Sequence, residues 1–325
     1  MATMRAAAIR RFGPESEIGV EELPIPEPGE GQLLLRLSYA GIGSWDAFER
    51  EGGYASMLGT RASFPYILGS QGAGLVVEAG RGADRLKPGD PVCATGFLNP
   101  KGGFYAEYAV VDEELGLPIP RGYSRLEAAA VLGAGLTALR GLSDALRLRP
   151  GETLCVLGAS GGVGHLAVQL AAAMGARVVA LASGEDGVAL ASACGAYLAL
   201  DGKGPDPLDE LRARGIASFD KLLLLAGGSL AEELCRMTRP EGAAAFPAGI
   251  APEPDPSAFP GALRFYGEPD REISGRLLAA IEAGGIRPHV DRVFELEELP
   301  AAHRLLRGHH LGAMAARTAR DSPRG

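Results

Sequence analysis

The fold of this chain can be predicted from Glu152–Gly187, which reads ETLCVLGASGGVGHLAVQLAAAMGARVVALASGEDG. The stretch contains an apolar run, a cluster of three glycines, a run with the composition of a helix and a further apolar run. A strand, a glycine-rich turn, a helix and a second strand in this order make a βαβ unit with parallel strands. The continuously apolar strands agree with this prediction, because a parallel sheet is covered on both faces.

The glycine cluster follows a predicted strand and opens a predicted helix, which is the context of a dinucleotide-binding turn. Small residues allow the backbone to approach a pyrophosphate, and the helix N-terminus supplies unpaired N–H groups and a favourable dipole. The last glycine allows helix and strand to pack closely. A tight turn without a ligand is the alternative interpretation. The candidate cofactor-binding residues of this turn are Ser160, Gly161, Gly162, Val163 and Gly164.

The end of the second strand should contact the adenosine ribose of the cofactor. An NAD site usually has an acidic residue there, which accepts hydrogen bonds from the ribose hydroxyls. Here the strand ends at Ala182 and Ser183, and acids follow only at Glu185 and Asp186. Ser183 is a candidate cofactor-binding residue, with a simple turn serine as the alternative. Its small side chain leaves room for a 2′-phosphate, so NADP(H) is favoured over NAD(H), but only weakly because no basic residue follows before Lys203.

The chain on either side of this unit has two different patterns. The first third has short apolar runs separated by Gly and Pro, which is typical of a compact β-barrel-like domain. Beyond Pro120 the composition becomes helical, and Ser124 with Glu127 forms a capping-box pair. Strands and helices then alternate, which predicts an α/β fold. The Pro-rich segment 250–263, IAPEPDPSAFPGAL, is predicted to be an irregular loop.

Composition and charge exclude several classes of partner for this chain of 325 residues. The formal net charge of −8 argues against nucleic-acid binding, which needs a basic face. No apolar run approaches the roughly 20 residues that span a bilayer, and the N-terminus lacks the apolar core of a signal peptide. The four cysteines have neither disulfide-framework nor metal-ligand spacing. These features predict a cytoplasmic protein without a membrane or nucleic-acid partner.

Several blocks of the chain, in order, resemble the zinc-free, quinone oxidoreductase-like branch of the medium-chain dehydrogenase/reductase superfamily. They include PYILGSQGAGLVVEAG, LKPGDPVCA, GGFYAEYAVV, AAAVLGAGLTAL and LRPGETLCVLGASGGVGHLAVQLAAAMGARVVA. The resemblance implies an α/β protein with a GroES-like β-barrel domain, residues 1–122 and 267–325, and a Rossmann doubly wound parallel sheet, residues 123–266. It also implies NAD(P)H in the cleft between the domains, hydride transfer, and a homodimer. The candidate edge strand for dimer pairing is GAAAFPAG, residues 242–249.

The positions that bind zinc in related dehydrogenases carry poor ligands here. Zinc-dependent relatives have a Cys shortly before an Asp in the first domain, and then Gly-His-Glu. In this chain the corresponding segments read Gly43-Ser44-Trp45-Asp46 and Gly69-Ser70-Gln71. Neither serine nor glutamine is a good zinc ligand, so no metal site is predicted.

The chain also departs from its zinc-free relatives at positions that should face the cofactor. Gly43 stands where these relatives commonly carry an Asn, and Gly187 and Gly202 stand about where NADP-preferring relatives place a Lys and a Tyr. Leu224 replaces an Asp, and Ala313 replaces the Lys of a terminal Gly-Lys pair. Such changes on an intact scaffold are compatible with an altered cofactor preference, weaker binding or a changed reaction.

The remaining candidate site residues come from positions that match the family. Thr137 should direct its hydroxyl towards the cofactor, unless it bonds its own helix backbone. Tyr54 is the candidate catalytic residue, because a protonated phenol can donate to a substrate carbonyl; a loop tyrosine is the alternative. Ser44, Trp45 and Phe48 are candidates for the substrate pocket, where aromatic rings could stack on a flat quinone or polyketide-like ring. Core packing of Trp45 and Phe48 is the alternative.

Three functional hypotheses follow from these patterns. The first is an NAD(P)H-dependent, zinc-independent reductase of a quinone or of an activated C=C bond, in which the protein positions, polarises and protonates the substrate. The second is a repurposed biosynthetic enzyme, such as a cyclase or dehydratase, with little or no cofactor use. The third is a protein that binds without catalysing. Nucleotide binding separates the first hypothesis from the other two.

Overall fold

The computed structural model describes residues 2–59, 61–96, 103–250, 252–255 and 261–319. The strands are β1 Thr3–Ile9, β2 Gly19–Pro24, β3 Gln32–Ile42, β4 Tyr66–Ile67, β5 Gln71–Ala79, β6 Pro91–Thr95, β7 Tyr108–Asp112, β8 Gly116–Pro118, β9 Thr153–Leu157, β10 Arg177–Ala182, β11 Leu198–Asp201, β12 Phe219–Leu224, β13 Thr238–Pro247, β14 Leu263–Phe265, β15 Val290–Glu295 and β16 Ala313–Arg317. The helices are α1 Ser44–Arg50, α2 Gly53–Leu58, α3 Arg125–Leu139, α4 Gly164–Ala173, α5 Gly184–Ala193, α6 Pro207–Ala213, α7 Ser229–Met237, α8 Arg271–Gly284 and α9 Leu299–Leu305.

The second domain is built on a parallel sheet with the strand order β11-β10-β9-β12-β13-β14. Strands β9 and β10 are adjacent and parallel, with Val179 opposite Cys155, as the sequence of the βαβ unit predicts. Buried apolar side chains cover both faces of this sheet. The predicted α/β class with a Rossmann doubly wound sheet is therefore confirmed.

The first domain consists of two sheets, and most neighbouring strands within each sheet are antiparallel. One sheet has the order β2-β1-β4, and the other has the order β15-β16-β3-β5-β6-β8, with β7 also paired to β3. Strand β16 runs antiparallel to β3, with Met314 opposite Ile42. The prediction that the C-terminal part of the chain returns to the first domain is confirmed by this pairing.

One prediction about the sheet edge is wrong. Residues 242–249 were the candidate edge, but β13 lies between β12 and β14, and the short strand β14 is the outermost one. Ala245 of β13 pairs with Leu263 of β14. The sequence between the two strands is Pro-rich; its described residues 252–255 form no helix or strand, and residues 251 and 256–260 lie outside the described part.

Helix α3 is the element that connects the two domains. It begins with the predicted capping box, in which Ser124 Oγ accepts from Glu127 N at 3.2 Å and Glu127 Oε2 accepts from Ser124 N at 2.8 Å. Residues 128–139 are buried all round, because the helix packs against both domains and extends into a π-helical turn, Arg140–Ala145. Small residues at these positions allow the close approach on all sides.

Helix α8 packs on the second domain, although the expected range 267–325 assigned it to the first. Its buried side chains Ile273, Leu277 and Ile281 belong to the same core cluster as Leu154 and Val156 of β9. An added Cβ atom on Gly135 of α3 would lie 3.0 Å from Leu277, so the two helices are in close contact. The domain limits themselves stay a prediction.

None of the described helices is long and apolar enough to cross a membrane.

Candidate active site between the two domains

A cavity of about 590 Å³ lies between the first domain and the end of β9. Most of the predicted site residues line it, namely Ser44, Trp45, Phe48, Tyr54, Thr137, Gly161, Gly162, Val163 and Gly164. Ser160 and Ser183 do not line it. The cavity therefore joins the glycine-rich turn to the aromatic residues of the first domain, in a cleft of the size that small-molecule and cofactor sites have.

The glycine-rich turn has the shape that a pyrophosphate site requires. Gly158 adopts a left-handed conformation, with φ of 83°. An added Cβ atom on Gly164 would lie only 2.0 Å from the carbonyl oxygen of Gly158, so this glycine is needed for close packing of α4. An added Cβ atom on Gly162 would lie 3.5 Å from Gly312 O, and Gly162 borders the cavity. The turn thus leaves space for phosphate at Gly162, and the N-terminus of α4 supplies the donors.

The two serines near this turn form hydrogen bonds with other parts of the protein. Ser160 is buried, and its Oγ accepts from the backbone N–H of Ser183 at 3.3 Å. Its carbonyl oxygen accepts from Gly312 N at 2.7 Å, which ties the last strand of the first domain to the turn. Gly187 is buried against the same serine, since an added Cβ atom would lie 2.9 Å from Ser160 Oγ. A lysine at this position would therefore need Ser160 to move.

An acidic residue that sequence reasoning did not assign lies beside this ribose end. Asp186, in the first turn of α5, accepts from Gly187 N at 2.8 Å and pairs with His309 Nε2 at 2.9 Å. The contact with His309 holds the pKa of the Asp186 carboxyl below its ordinary value. Because His309 belongs to the first domain, this hydrogen bond bridges the two domains at the end of the strand that should carry the ribose contact.

The hydroxyl of Thr137 bonds its own helix backbone, which was the alternative interpretation for this residue. Its Oγ1 donates to Gly133 O at 2.9 Å, one turn back in α3. Thr137 nevertheless lines the cavity, and the backbone of Gly267 packs closely on it, because an added Cβ atom there would lie 2.3 Å from Oγ1. The hydroxyl oxygen can still accept a hydrogen bond from a cofactor amide.

Aromatic side chains of α1 and α2 form the wall opposite the glycine turn. Phe48 and Tyr54 pack edge to face, with ring centroids 4.9 Å apart and planes at 87°. Burial raises the pKa of the Tyr54 phenol, so it is protonated at neutral pH and can donate. Trp45 is half-buried and also borders the cavity, whereas Ser44 is exposed at its rim.

The positions that hold zinc in related dehydrogenases are occupied by hydrogen-bonded polar groups. Ser70 Oγ donates to Asp46 Oδ1 at 2.8 Å, and Gln71 Oε1 accepts from Gly133 N at 2.6 Å. Among the residues that the structure describes, no group of three or more His, Cys, Asp or Glu side chains could hold a metal. A serine hydroxyl and a glutamine amide that are already hydrogen-bonded are poor zinc ligands.

A buried polar cluster below this wall was not predicted from the sequence. Asp46 Oδ2 accepts from Gly43 N at 2.8 Å and from Tyr105 Oη at 3.0 Å. Arg50 is fully buried and pairs through Nη1 with His303 Nδ1 at 2.8 Å. Burial raises the pKa of Asp46 to about 7 and lowers that of His303 to about 3. Residues 50 and 303 are far apart in sequence, so no local pattern signals their pairing.

His165 links the glycine turn to the first domain from the buried side. Its Nδ1 donates to Gly161 O at 2.9 Å, and its Nε2 accepts from His289 N at 3.0 Å, an assignment that follows from these two partners. Burial lowers the pKa of His165 to about 4. The neutral ring is therefore part of the folded state.

Acidification is expected to destabilise the protein because of these buried groups. Between about pH 4 and pH 6.5 the unfolded chain protonates His165 and His303 and the folded chain does not, whereas the folded chain retains one proton on Asp46 that the unfolded chain loses. Burial also lowers the pKa of His310, so the unfolded state binds at least one more proton. The free energy of unfolding should therefore rise with pH by about 1.4 kcal/mol per unit or more. Denaturant titrations across this range measure the slope. Asp46→Asn should steepen it, and a stability that falls as pH rises would contradict the assignment.

Further cavity residues were missed by sequence reasoning. Gln71, Leu225, His310 and Gly312 all line the cavity. Gly43 and Ala313, which were expected to face the cofactor, line it as well. Leu225 follows β12, so the ends of parallel strands could have indicated it. The cavity residues from the C-terminal part of the chain, His310 and Gly312, carry no sequence pattern that would have indicated them apart from the family resemblance.

Comparison with known proteins agrees with this architecture. Residues 29–121 match the family model of the alcohol dehydrogenase GroES-like domain, and residues 162–268 match the model described as zinc-binding dehydrogenase. An alcohol dehydrogenase of Rhizobium meliloti is 34% identical over 277 residues, covering 77% of this chain and 78% of the relative. Rat quinone oxidoreductase is 29% identical over 319 residues, covering 92% and 93%. The structure of a quinone oxidoreductase from Coxiella burnetii superposes with a TM-score of 0.85 at 26% identity, covering 98% of this chain and 100% of that one.

Proposed function

The chain belongs to the medium-chain dehydrogenase/reductase family, and from this premise we propose that it is a zinc-independent reductase that uses NAD(P)H. The proposed reaction is transfer of hydride to a quinone or to the activated C=C bond of an enone or enoyl substrate. The proposal is carried by one observation: the glycine turn, with Gly162 at the cavity border, and the aromatic residues Trp45, Phe48 and Tyr54 line the same cavity. A flat, conjugated, aromatic or polyketide-like small molecule fits such a wall.

The residues of this chain support the reaction mainly by binding and orientation. Bound NAD(P)H supplies the hydride. The donors at the N-terminus of α4 bind the pyrophosphate, and the cleft excludes water from the nicotinamide end. Tyr54 is the proposed proton or hydrogen-bond donor to the substrate oxygen, because burial keeps its phenol protonated.

Oxidation of an alcohol at a zinc ion is a less suitable function, although several relatives carry the name alcohol dehydrogenase. That chemistry needs a metal to bind the alkoxide, and Ser44, Ser70 and Gln71 supply no thiolate, imidazole or carboxylate. A repurposed cyclase or dehydratase is the second candidate, and the departures at Gly43, Gly187, Gly202 and Ala313 favour it. That candidate predicts substrate turnover without nucleotide.

Titration of the purified protein with NADPH and NADH, followed by the fluorescence of the reduced nicotinamide, tests the proposal. We expect saturable binding, and we expect consumption of the nucleotide when a quinone or an enone is added. Binding without consumption by any conjugated acceptor would contradict the reductase. Turnover of an aromatic or polyketide substrate in the absence of nucleotide would instead select the repurposed enzyme.

We propose that NADPH is preferred only weakly over NADH. Ser183 leaves room for the 2′-phosphate, but the carboxylate of Asp186 lies next to the same strand end and repels it. Asp186→Asn should therefore raise the ratio of NADPH to NADH affinity about three- to tenfold, a modest change because the site is exposed and screened. Glu185→Gln, which removes the neighbouring exposed charge, is the matched control and should change the ratio less. Dissociation constants of both nucleotides decide this, and an unchanged ratio in Asp186→Asn would refute the role.

We also propose a homodimer formed by edge-to-edge pairing of the second-domain sheets. The outermost strand β14 is three residues long; Leu263 at its start is 46% exposed, and Tyr266 directly after it is 41% exposed. An open edge with exposed apolar residues is a ready pairing surface. Light scattering at micromolar concentration should give twice the chain mass, and Leu263→Lys should give the monomer mass, because an edge lysine opposes pairing. A monomeric wild-type protein would overturn the proposal.

The proposed location of the protein is the cytoplasm. Its four cysteines form no disulfide in the described structure, and Cys93, Cys155 and Cys235 are buried. Reduced thiols are the ordinary state of cysteine in that compartment. Fractionation of cells that express the tagged protein tests the location.

A further inference from the structure

His165 holds the glycine turn from its buried side. The residue is fully buried, and its Nδ1 donates to Gly161 O at 2.9 Å. The peptide bond between Gly161 and Gly162 is trans, so the N–H of Gly162 points away from the carbonyl that the imidazole binds. No backbone hydrogen bond among the described residues uses this N–H, and Gly162 borders the cavity. The imidazole therefore fixes the orientation of a donor that lies beside the cavity.

The opposite edge of the imidazole contacts the first domain. Its Nε2 accepts from the backbone N–H of His289 at 3.0 Å, directly before β15. A carbonyl on one nitrogen and an N–H on the other are compatible only with the neutral imidazole that carries its proton on Nδ1. His165 thus joins the glycine turn to the first domain through two hydrogen bonds of fixed direction.

Two backbone hydrogen bonds close this connection into a circuit. Ala313 N donates to His289 O at 2.7 Å, and Gly312 N donates to Ser160 O at 2.7 Å. Gly312 has a φ of 60°, and an added Cβ atom there would lie 2.3 Å from His289 O, so these two segments are in close contact. The circuit runs from the glycine turn through His165 to the starts of β15 and β16, and back to the turn.

The two partners of hydride transfer would be held by different domains. The glycine turn belongs to the second domain, whereas Trp45, Phe48 and Tyr54 belong to helices α1 and α2 of the first. Reacting atoms must approach within about 3.5 Å, and a displacement of about 1 Å can lower the rate about a hundredfold. The reaction therefore depends on how the glycine turn is held relative to the first domain.

We propose that His165 is a positioning residue with two separable functions. Its Nδ1–H orients the turn for the pyrophosphate, and its Nε2 holds that turn at the distance from the first-domain pocket that hydride transfer requires. The inference rests on the proposed reductase function, in which the acceptor gains the hydride and a proton from water and the nicotinamide is left oxidised. His165 does not line the cavity, so it acts through the backbone that it binds.

His165→Asn and His165→Gln each keep one half of the connection. The amide of the shorter side chain reaches the place of Nδ1 and can donate to Gly161 O, but it does not reach His289. The amide of the longer side chain reaches the place of Nε2 and can accept from His289 N, but it leaves Gly161 O without the side-chain donor.

Gln169→Leu is the matched control for a general loosening of α4. Gln169 lies one turn further along the helix, where its amide donates to Arg287 O and accepts from Arg287 N, both at 2.9 Å. The substitution removes these two hydrogen bonds and leaves the glycine turn untouched. It should lower the thermal midpoint and keep wild-type nucleotide affinity and kcat per active site.

The two His165 variants should lose different properties. For His165→Gln we expect the dissociation constants of NADPH and NADH to rise about tenfold, because the donor of the turn is no longer held in place. For His165→Asn we expect nucleotide affinity within about threefold of wild type, and a kcat for enone or quinone reduction that falls about tenfold. Nucleotide deuterated at the transferring position should give His165→Asn an isotope effect on kcat at least as large as that of wild type, because hydride transfer is the slowed step.

The thermal midpoint and the number of active sites, counted by nucleotide titration, separate positioning from a merely structural role. If the His165 variants lose stability or active sites but keep wild-type dissociation constants and kcat per site, the positioning role is wrong. A wild-type kcat in His165→Asn, a smaller isotope effect, or an equal loss of kcat in Gln169→Leu would also overturn it.

Failure of the proposed function has a different result. If the wild-type protein oxidises no nucleotide with any enone or quinone, the reductase is wrong, whereas the dissociation constants of His165→Gln still test the orientation of the turn. A loss of affinity confined to His165→Gln, together with a loss of kcat at retained affinity in His165→Asn, supports the inference.

Discussion

Gly162→Asp is expected to abolish nucleotide binding while the protein stays folded. The added carboxylate would stand where the pyrophosphate must lie, and like charges in contact should weaken binding by at least about a thousandfold, or roughly 4 kcal/mol. The same substitution is tolerated by the fold, because an added Cβ atom at Gly162 meets only Gly312 O, at 3.5 Å. An acidic side chain before the N-terminus of α4 also interacts favourably with the helix dipole.

Fluorescence titration and thermal unfolding of the same Gly162→Asp sample separate the two effects. Gly162→Ala is the matched control, since it adds the Cβ atom without the charge, and it should retain most of the binding and the thermal midpoint. Nucleotide affinity within tenfold of wild type in Gly162→Asp would show that the pyrophosphate does not lie at this turn.

Gly164→Ala is expected to have the opposite pattern, with a loss of stability as its primary effect. An added Cβ atom would lie 2.0 Å from Gly158 O, a backbone atom that cannot rotate away. Overpacking of this kind should cost about 3 kcal/mol or more, because the first turn of α4 must move away from β9. The thermal midpoint should therefore fall by about 6 °C or more.

Gly161→Ala is the control for this prediction. Its Cβ atom would meet Gly158 O at 3.5 Å, an ordinary contact, so the thermal midpoint should stay near that of wild type. Equal stability of Gly164→Ala and Gly161→Ala would contradict the close packing of helix and strand. Gly164 and Gly162 thus have separable roles, in which Gly164 supports packing and Gly162 leaves space for the ligand.

Much of the fold could be predicted because its signals are local. The unit β9–α4–β10 is written in one continuous stretch, and the capping box of α3 needs only Ser124 and Glu127. The C-terminal return to the first domain came from the resemblance. The sheet edge was predicted wrongly, because β14 is three residues long and carries no periodic pattern that distinguishes it from a loop.

The site was harder to predict because its key contacts join distant residues. Gln71 is held by Gly133, and Asp186 pairs with His309 of the other domain, so neither partner is visible from spacing. Gly43 looked like the loss of a functional side chain. The structure shows that the ring of Trp45 fills that place, which a position-by-position comparison cannot show. Roles for Ser160 and Ser183 in cofactor binding stay predictions, since neither lines the cavity.

The central claim is that this chain transfers hydride from a bound nicotinamide to a conjugated substrate without a metal. The most direct measurement uses protein treated with chelator and NADPH or NADH that is deuterated at the transferring position, with an enone as acceptor. The account predicts a saturated product that carries deuterium at the β-carbon, at an undiminished rate after chelation. Product without deuterium, or a reaction that requires restored zinc, would contradict it.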